Sequence, residues 1–249
     1  MARAPVRLGL LYPGFAAEDD YPAMAGMLKV PAVMEVVHTS VGEDAHREDA
    51  LLDLGSADRL LEGAARLADR SVDAAVWACT SGSFVFGWTG AHEQAQRVAD
   101  ALGVPASSTS LAFVAALRAL DARRVAVAAT YPAAVTARFE EFLAAAGIEL
   151  LAVGSRGIVT ALEVGALGRD DVWELATGND HPDADALVIP DTAMRTVAWL
   201  DELEEAVGKP VLTANQVTVW EGLRLAGVQV PAQAGLGALF AASALTRRG

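Results

Sequence analysis

Cysteine is nearly absent: a single one, Cys79, stands in 249 residues. That excludes an intrachain disulfide and makes a reducing compartment the natural setting. Aromatic residues make up only 6% of the chain. No stretch approaches the roughly 20 uninterrupted apolar residues of a membrane-spanning helix. Positive charge is short as well, with 19 Lys plus Arg against 32 Asp plus Glu and a formal charge of −13. A nucleic-acid or anionic-membrane surface needs a positive field, so neither partner is expected. The opening Met-Ala-Arg-Ala-Pro-Val-Arg leads into a short apolar run without a signal-peptide pattern, and a cytoplasmic location is expected. No G-x-G-x-x-G, P-loop or G-x-S-x-G occurs, which removes the usual signals for dinucleotide, nucleotide and α/β-hydrolase sites. His38, His46, His92 and His181 have no ligand-like spacing to one another or to Cys79. Neither a metal nor another cofactor is therefore expected.

What the chain does have is alternation. Short apolar runs at 8–12, 33–38, 74–78, 125–130, 148–153, 186–189 and 210–213 predict strands. Between them, helical periodicity covers 57–70, 93–102, 111–120, 134–146, 171–176, 196–207 and 217–225. Gly103, Gly147, Gly208 and Gly227 each follow a helical run, where a left-handed glycine ends a helix. Strands alternating with helices of this length indicate βαβ crossovers, parallel sheets and a doubly wound α/β architecture.

The chain also repeats itself. Val6-Arg7-Leu8-Gly9-Leu10-Leu11-Tyr12-Pro13 returns as Val125-Ala126-Val127-Ala128-Ala129-Thr130-Tyr131-Pro132, with Tyr-Pro displaced by 119. Asp73-Ala74-Ala75-Val76 returns as Asp185-Ala186-Leu187-Val188, displaced by 112, and Gly103-Val104-Pro105 as Gly208-Lys209-Pro210, displaced by 105. Three segments recurring in order predict two pseudo-symmetric lobes, 1–112 plus 216–249 and 113–215, whose parallel sheets face one cleft. Ligands of open α/β sheets sit beyond the carboxyl ends of the strands. Cys79 lies six residues after Asp73, and Asp191 six after Asp185. A thiol and a carboxylate should therefore confront each other from opposite walls.

Cys79-Thr80-Ser81-Gly82-Ser83 offers that thiol, three hydroxyls and turn amides ahead of a helix. Such a setting can hold an anion and lower a thiol pKa toward neutrality. Asp191 is a candidate acid/base or a helix N-cap leading into Thr192. Tyr131 could bond a carboxylate or pack against the sheet edge. Pro13 and Gly14 end the first strand of the first lobe, and His38 is read as a polar rim residue.

At Cys79-Thr80-Ser81-Gly82-Ser83-Phe84 the chain resembles the aspartate/glutamate racemase superfamily, in its maleate isomerase and arylmalonate decarboxylase branch. The likeness extends through Arg118-Ala119-Leu120 to Tyr131, and through Thr213-Ala214-Asn215-Gln216 to Trp220-Glu221-Gly222-Leu223-Arg224. It covers nearly the whole chain. The resemblance implies a two-lobed fold with a pair of cysteines on opposite walls, acting next to a substrate carboxylate. Here Cys79 keeps the first position and Asp191 replaces the second. It further implies that Thr80, Ser81, Tyr131 and the Thr192 amide hold the carboxylate, with Pro13, Gly14 and Asn215 also lining the substrate site. Gly14-Phe15 stands where maleate isomerases tend to carry an asparagine after proline.

The expected partner is a small mono- or dicarboxylate, and a homo-oligomer is compatible with the chain. The leading expectation is a cofactor-independent isomerase or racemase with Cys79 as nucleophile or proton shuttle. The alternatives are an arylmalonate-type decarboxylase in which Cys79 protonates an enediolate, and a catalytically silent carboxylate binder.

Overall fold

In the computed structural model, which describes residues 4–241, eight strands fall into two separate four-stranded parallel sheets. The first half runs β1 (Val6–Pro13), α1 (Asp20–Met27), β2 (Ala32–Thr39), α2 (Glu48–Leu54), α3 (Ala57–Leu67), β3 (Ala74–Trp77), α4 (Ser81–Phe84), α5 (Gly87–Leu102), β4 (Ala106–Ser108) and α6 (Thr109–Ala119). The second runs β5 (Arg124–Ala129), α7 (Ala133–Ala145), β6 (Glu149–Ser155), α8 (Ala161–Gly165), α9 (Arg169–Gly178), β7 (Ala186–Ile189), α10 (Leu200–Val207), β8 (Val211–Thr213), α11 (Ala214–Leu225) and α12 (Ala238–Ala241). Strand orders are β2-β1-β3-β4 and β6-β5-β7-β8, the same topology used twice. No helix among the described residues is long and apolar enough to cross a membrane.

The repeated aspartates do the same work in each sheet. Asp73 accepts the Arg7 amide at 2.8 Å, and Asp185 accepts the Arg123 and Arg124 amides at 3.0 and 2.8 Å. Each carboxylate thereby staples the start of its third strand to the start of the first. Register then makes Cys79 and Asp191 equivalent, because Leu8 pairs Ala74 while Val125 pairs Ala186. It does not make Tyr12 equivalent to Tyr131. Tyr12 lies within β1, whereas Tyr131 falls two residues beyond the end of β5. The Tyr-Pro match is thus offset by two residues from the true register.

The strands are short and rich in Ala and Val because helices cover them, and all four residues of β3 and of β7 are buried. Gly103 and Gly208, with φ of 68° and 69°, end α5 and α10 in the left-handed conformation expected of them. Two apolar clusters keep their buried residues within one lobe each, while a third crosses between them. One apolar cluster includes Leu8, Leu10 and Val76 of the first sheet and Val125, Val127 and Val188 of the second. Between the sheets α6 packs on α11, and α11 returns to lie on β1 and β3.

The lobe boundaries expected at 112/113 and 215/216 fall inside α6 and α11. Residues 1–3 and 242–249 of the first-lobe assignment lie outside the described residues. The seven expected strands are present. The Ala-Ser-Ser edge strand β4 has no apolar run, so periodicity passes over it. The helix expected from 196 begins as a 3-10 turn at Val197–Trp199 and becomes α-helical at Leu200.

Candidate active site

Both third strands end at one cavity of about 260 Å³. Cys79 and Ser81 line it from the first lobe and Asp191, Thr192 and Ala193 from the second. Pro13 and Gly14, at the end of β1, form part of the same wall. The confrontation of sulfur and carboxylate deduced from the repeat is therefore present.

The cysteine turn is held from behind. The Ser110 hydroxyl donates to the Thr80 carbonyl at 2.8 Å, and Ser83 Oγ donates to Ser108 Oγ at 2.8 Å. Gln94 donates its Nε2 to the carbonyls of Gly55 and Gly82, at 2.7 and 2.9 Å, clamping the end of α2 against the turn. The Gly82 amide donates to Cys79 Sγ at 3.3 Å, and Ser81 Oγ stands 4.0 Å from the sulfur.

A lowered thiol pKa was the expectation, and the structure corrects it. Burial pushes the Cys79 thiol up to about 12, and the Asp191 carboxylate adds to this. The Gly82 and Ser81 groups pull the other way without overcoming burial. The helix that follows has only four residues, too short to supply much dipole. Burial therefore favours the protonated thiol.

Opposite, Asp191 Oδ1 accepts the Ala193 amide at 2.9 Å, and Oδ2 accepts the Thr130 hydroxyl. This caps a turn, not a helix. The residues after it are irregular as far as Val197, so the helix N-cap role is excluded. The turn is pinned from three sides. Tyr12 donates its hydroxyl to the Thr192 carbonyl at 3.1 Å. Asp20 accepts the Thr196 amide at 3.0 Å, and Asn215 donates to both Asp20 and the Met194 carbonyl. Burial raises the Asp20 carboxyl above its ordinary pKa, partly offset by Asn215 and the Thr196 and Val197 amides.

Asn215, expected against substrate, is thus spent on this scaffold. Its Oδ1 accepts the Tyr21 hydroxyl at 2.9 Å, and the residue is fully buried outside the cavity lining. Thr80 and Tyr131 stand immediately behind the lining. The Tyr131 hydroxyl donates to the Pro190 carbonyl at 2.7 Å, with Thr80 and Ser81 close to it. Burial first, then Asp191 and Cys79, hold that phenol protonated. The Thr80 hydroxyl is sealed and has no partner among the described residues. His38 holds the Gly14 carbonyl through Nδ1 at 2.6 Å and stacks on Phe15, outside this cavity.

Sequence reasoning missed the roof. It comes from the loops after the second strand of each sheet, which carry no periodic pattern. Asp44 accepts the Ala161 and Leu162 amides at 2.9 and 3.2 Å. His46 donates its backbone amide to the Val159 carbonyl at 2.6 Å, and its Nδ1 lies 3.0 Å from the Ile158 carbonyl. At the mouth stand Phe15, Val41 and Leu162, which are 73%, 36% and 72% exposed. The signal that could have found these residues was position, since they follow the carboxyl ends of strands. Among the described residues no cluster of three or more His, Cys, Asp or Glu converges as a metal site.

Fold and site together define a class: two-lobed α/β proteins that set a thiol against a second polar side chain across an interlobe pocket. The chain belongs to the arylmalonate decarboxylase family, whose model matches residues 54–240. It is 33% identical over 147 residues to the arylmalonate decarboxylase of Bordetella bronchiseptica, a match spanning 57% of this chain and 60% of that protein's length. It is 27% identical over 231 residues to a maleate isomerase of Geobacillus stearothermophilus, covering 88% of this chain and 90% of the relative. Among solved structures, a maleate isomerase variant of Pseudomonas putida S16 with maleate has the same fold. Its TM-score is 0.86 at 24% identity, covering 98% of this chain and all of that one.

Proposed function

We propose that this chain is a cofactor-independent decarboxylase of a malonate bearing an apolar substituent, with the Cys79 thiol as proton donor. The carrying observation is a protonated thiol that opens into a cavity with an apolar mouth and no Lys or Arg in its described lining. Loss of CO2 breaks the bond from the α-carbon to one carboxyl carbon and leaves the electron pair on the α-carbon. That pair spreads into the remaining carboxylate as an enediolate. Fixed donors such as the Ser81 hydroxyl and the Thr192 amide stabilise the new charge, the logic of an oxyanion hole. The S–H then transfers its proton to carbon, and water reprotonates the sulfur.

Such a reaction draws on no strong base. Thiolate addition to a double bond, by contrast, needs ionised sulfur, which burial of Cys79 disfavours. The decarboxylase therefore moves ahead of the isomerase that the sequence favoured. Asp191 fits the same chemistry: a carboxylate beside the departing group repels it, and the repulsion vanishes when neutral CO2 leaves. The family relationship to arylmalonate decarboxylase supports this reaction class. Isomerisation or racemisation is the second reading, favoured by Asp191 as an acceptor for a proton on the face opposite the sulfur.

Phenylmalonate and maleate separate the two. The expected result is phenylacetate and CO2 from phenylmalonate, followed by NMR, with no fumarate from maleate. Fumarate formation without CO2 release from phenylmalonate would assign the chain to isomerisation instead.

A further inference from the structure

We infer that His46 is a further catalytic residue, presenting Nε2 to the substrate carboxylate that remains after CO2 is lost. The inference rests on the reading that the cavity holds a substrate carboxylate, and it concerns a side chain outside the thiol–carboxylate pair. His46 lines the cavity yet is only 7% exposed. Its ring meets the Tyr131 ring edge-on, with centroids 4.9 Å apart, which places it on the side of Thr80 and Ser81.

One nitrogen is already committed. The only acceptor at Nδ1 is the Ile158 carbonyl, so Nδ1 carries a proton and donates it. Nε2 makes no hydrogen bond to the protein among the described residues, and it is not one of the sealed, unpartnered polar atoms. His46 lines the cavity, and Nε2 is the ring nitrogen left to present there. A neutral ring with Nδ1–H offers a lone pair at Nε2, which repels a carboxylate; the protonated ring offers N–H and a positive charge.

Every other ionisable group in the cavity wall is acidic. Glu43 is paired with Arg47, Asp44 caps the α8 turn, Asp191 holds Thr130 and Ala193, the Tyr12 phenol donates to the Thr192 carbonyl, and Cys79 is the thiol itself. From neighbouring elements Tyr131 and Glu163 also face the ring. His46 is thus the one side chain in the described lining able to bring positive charge to a carboxylate whose charge grows as the enediolate forms. Charge developing in a water-poor pocket is where such a donor counts most.

Two substitutions separate this role from the interlobe clasp. His46→Asn keeps a donor where Nδ1 reaches Ile158 and removes Nε2; His46→Gln reaches toward Nε2 and gives up the clasp. The probe is phenylacetate, whose binding is read by calorimetry and so does not depend on turnover. Expected in His46→Asn is a dissociation constant raised about tenfold or more with the thermal midpoint nearly unchanged. His46→Gln should recover part of that loss. Equal affinity in wild type and His46→Asn, or no binding of phenylacetate to wild type, overturns the inference. Failure of the decarboxylase reading appears separately, as an absence of CO2 from phenylmalonate in a protein that still binds phenylacetate through His46.

Discussion

Replacing Cys79 by alanine is expected to lower kcat for phenylmalonate by a factor of about 10² to 10⁴, the usual contribution of a positioned general acid. Substrate affinity should change little, because the side chain gives its proton late and holds no charge before that. The sulfur is buried and its hydrogen-bond donors weigh less than burial, which favours S–H as the proposed donor. Alanine removes the donor while leaving the turn intact, since Gln94, Ser110 and Ser108 hold that turn through Gly82, Thr80 and Ser83. Serine is a poor rescue: its hydroxyl is a much weaker acid than a thiol. A serine variant with wild-type kcat would remove proton delivery from Cys79.

Gly55→Ala is the substitution expected to cost the fold most. A Cβ there would sit 2.0 Å from the Gly82 carbonyl oxygen and 2.7 Å from Gln94 Nε2. The nearer atom is backbone and cannot swing aside, so α2 or the cysteine turn must move. Overpacking of this kind costs about 1–3 kcal/mol. Loss of the paired Gln94 hydrogen bonds adds about 1–3 kcal/mol more, because the Gly55 and Gly82 carbonyls they satisfy are enclosed. The thermal midpoint should fall by roughly 4–24 °C for a chain of this size, read by calorimetry. Activity of the surviving folded fraction should drop too, since Gly82 donates directly to the sulfur.

Much of this architecture was legible from residues whose jobs repeat. Asp73 and Asp185 marked equivalent strand starts, and counting forward from them brought Cys79 opposite Asp191 before any coordinates were needed. The Tyr-Pro repeat misled slightly, because Tyr131 lies two residues past the end of β5 whereas Tyr12 is still within β1. Asn215 was legible as a constrained position but not as a scaffold residue, because its partners Asp20, Tyr21 and Met194 lie far away in sequence. The loops around His46 and Leu162 have no periodicity, and only their meeting across the lobes creates a roof. The thiol's protonation state was out of reach for a related reason. The sequence displays the donors at Ser81 and Gly82, whereas the burial that outweighs them is a property of the folded whole.

The most direct measurement is the stereochemistry of the product from the prochiral substrate 2-methyl-2-phenylmalonate, analysed by chiral chromatography. If Cys79 delivers the proton from its own wall, wild-type protein yields one enantiomer of 2-phenylpropionate, and Cys79→Ala yields residual product without that preference. Racemic product from wild type, or the same enantiomer at a similar rate from Cys79→Ala, would contradict the account.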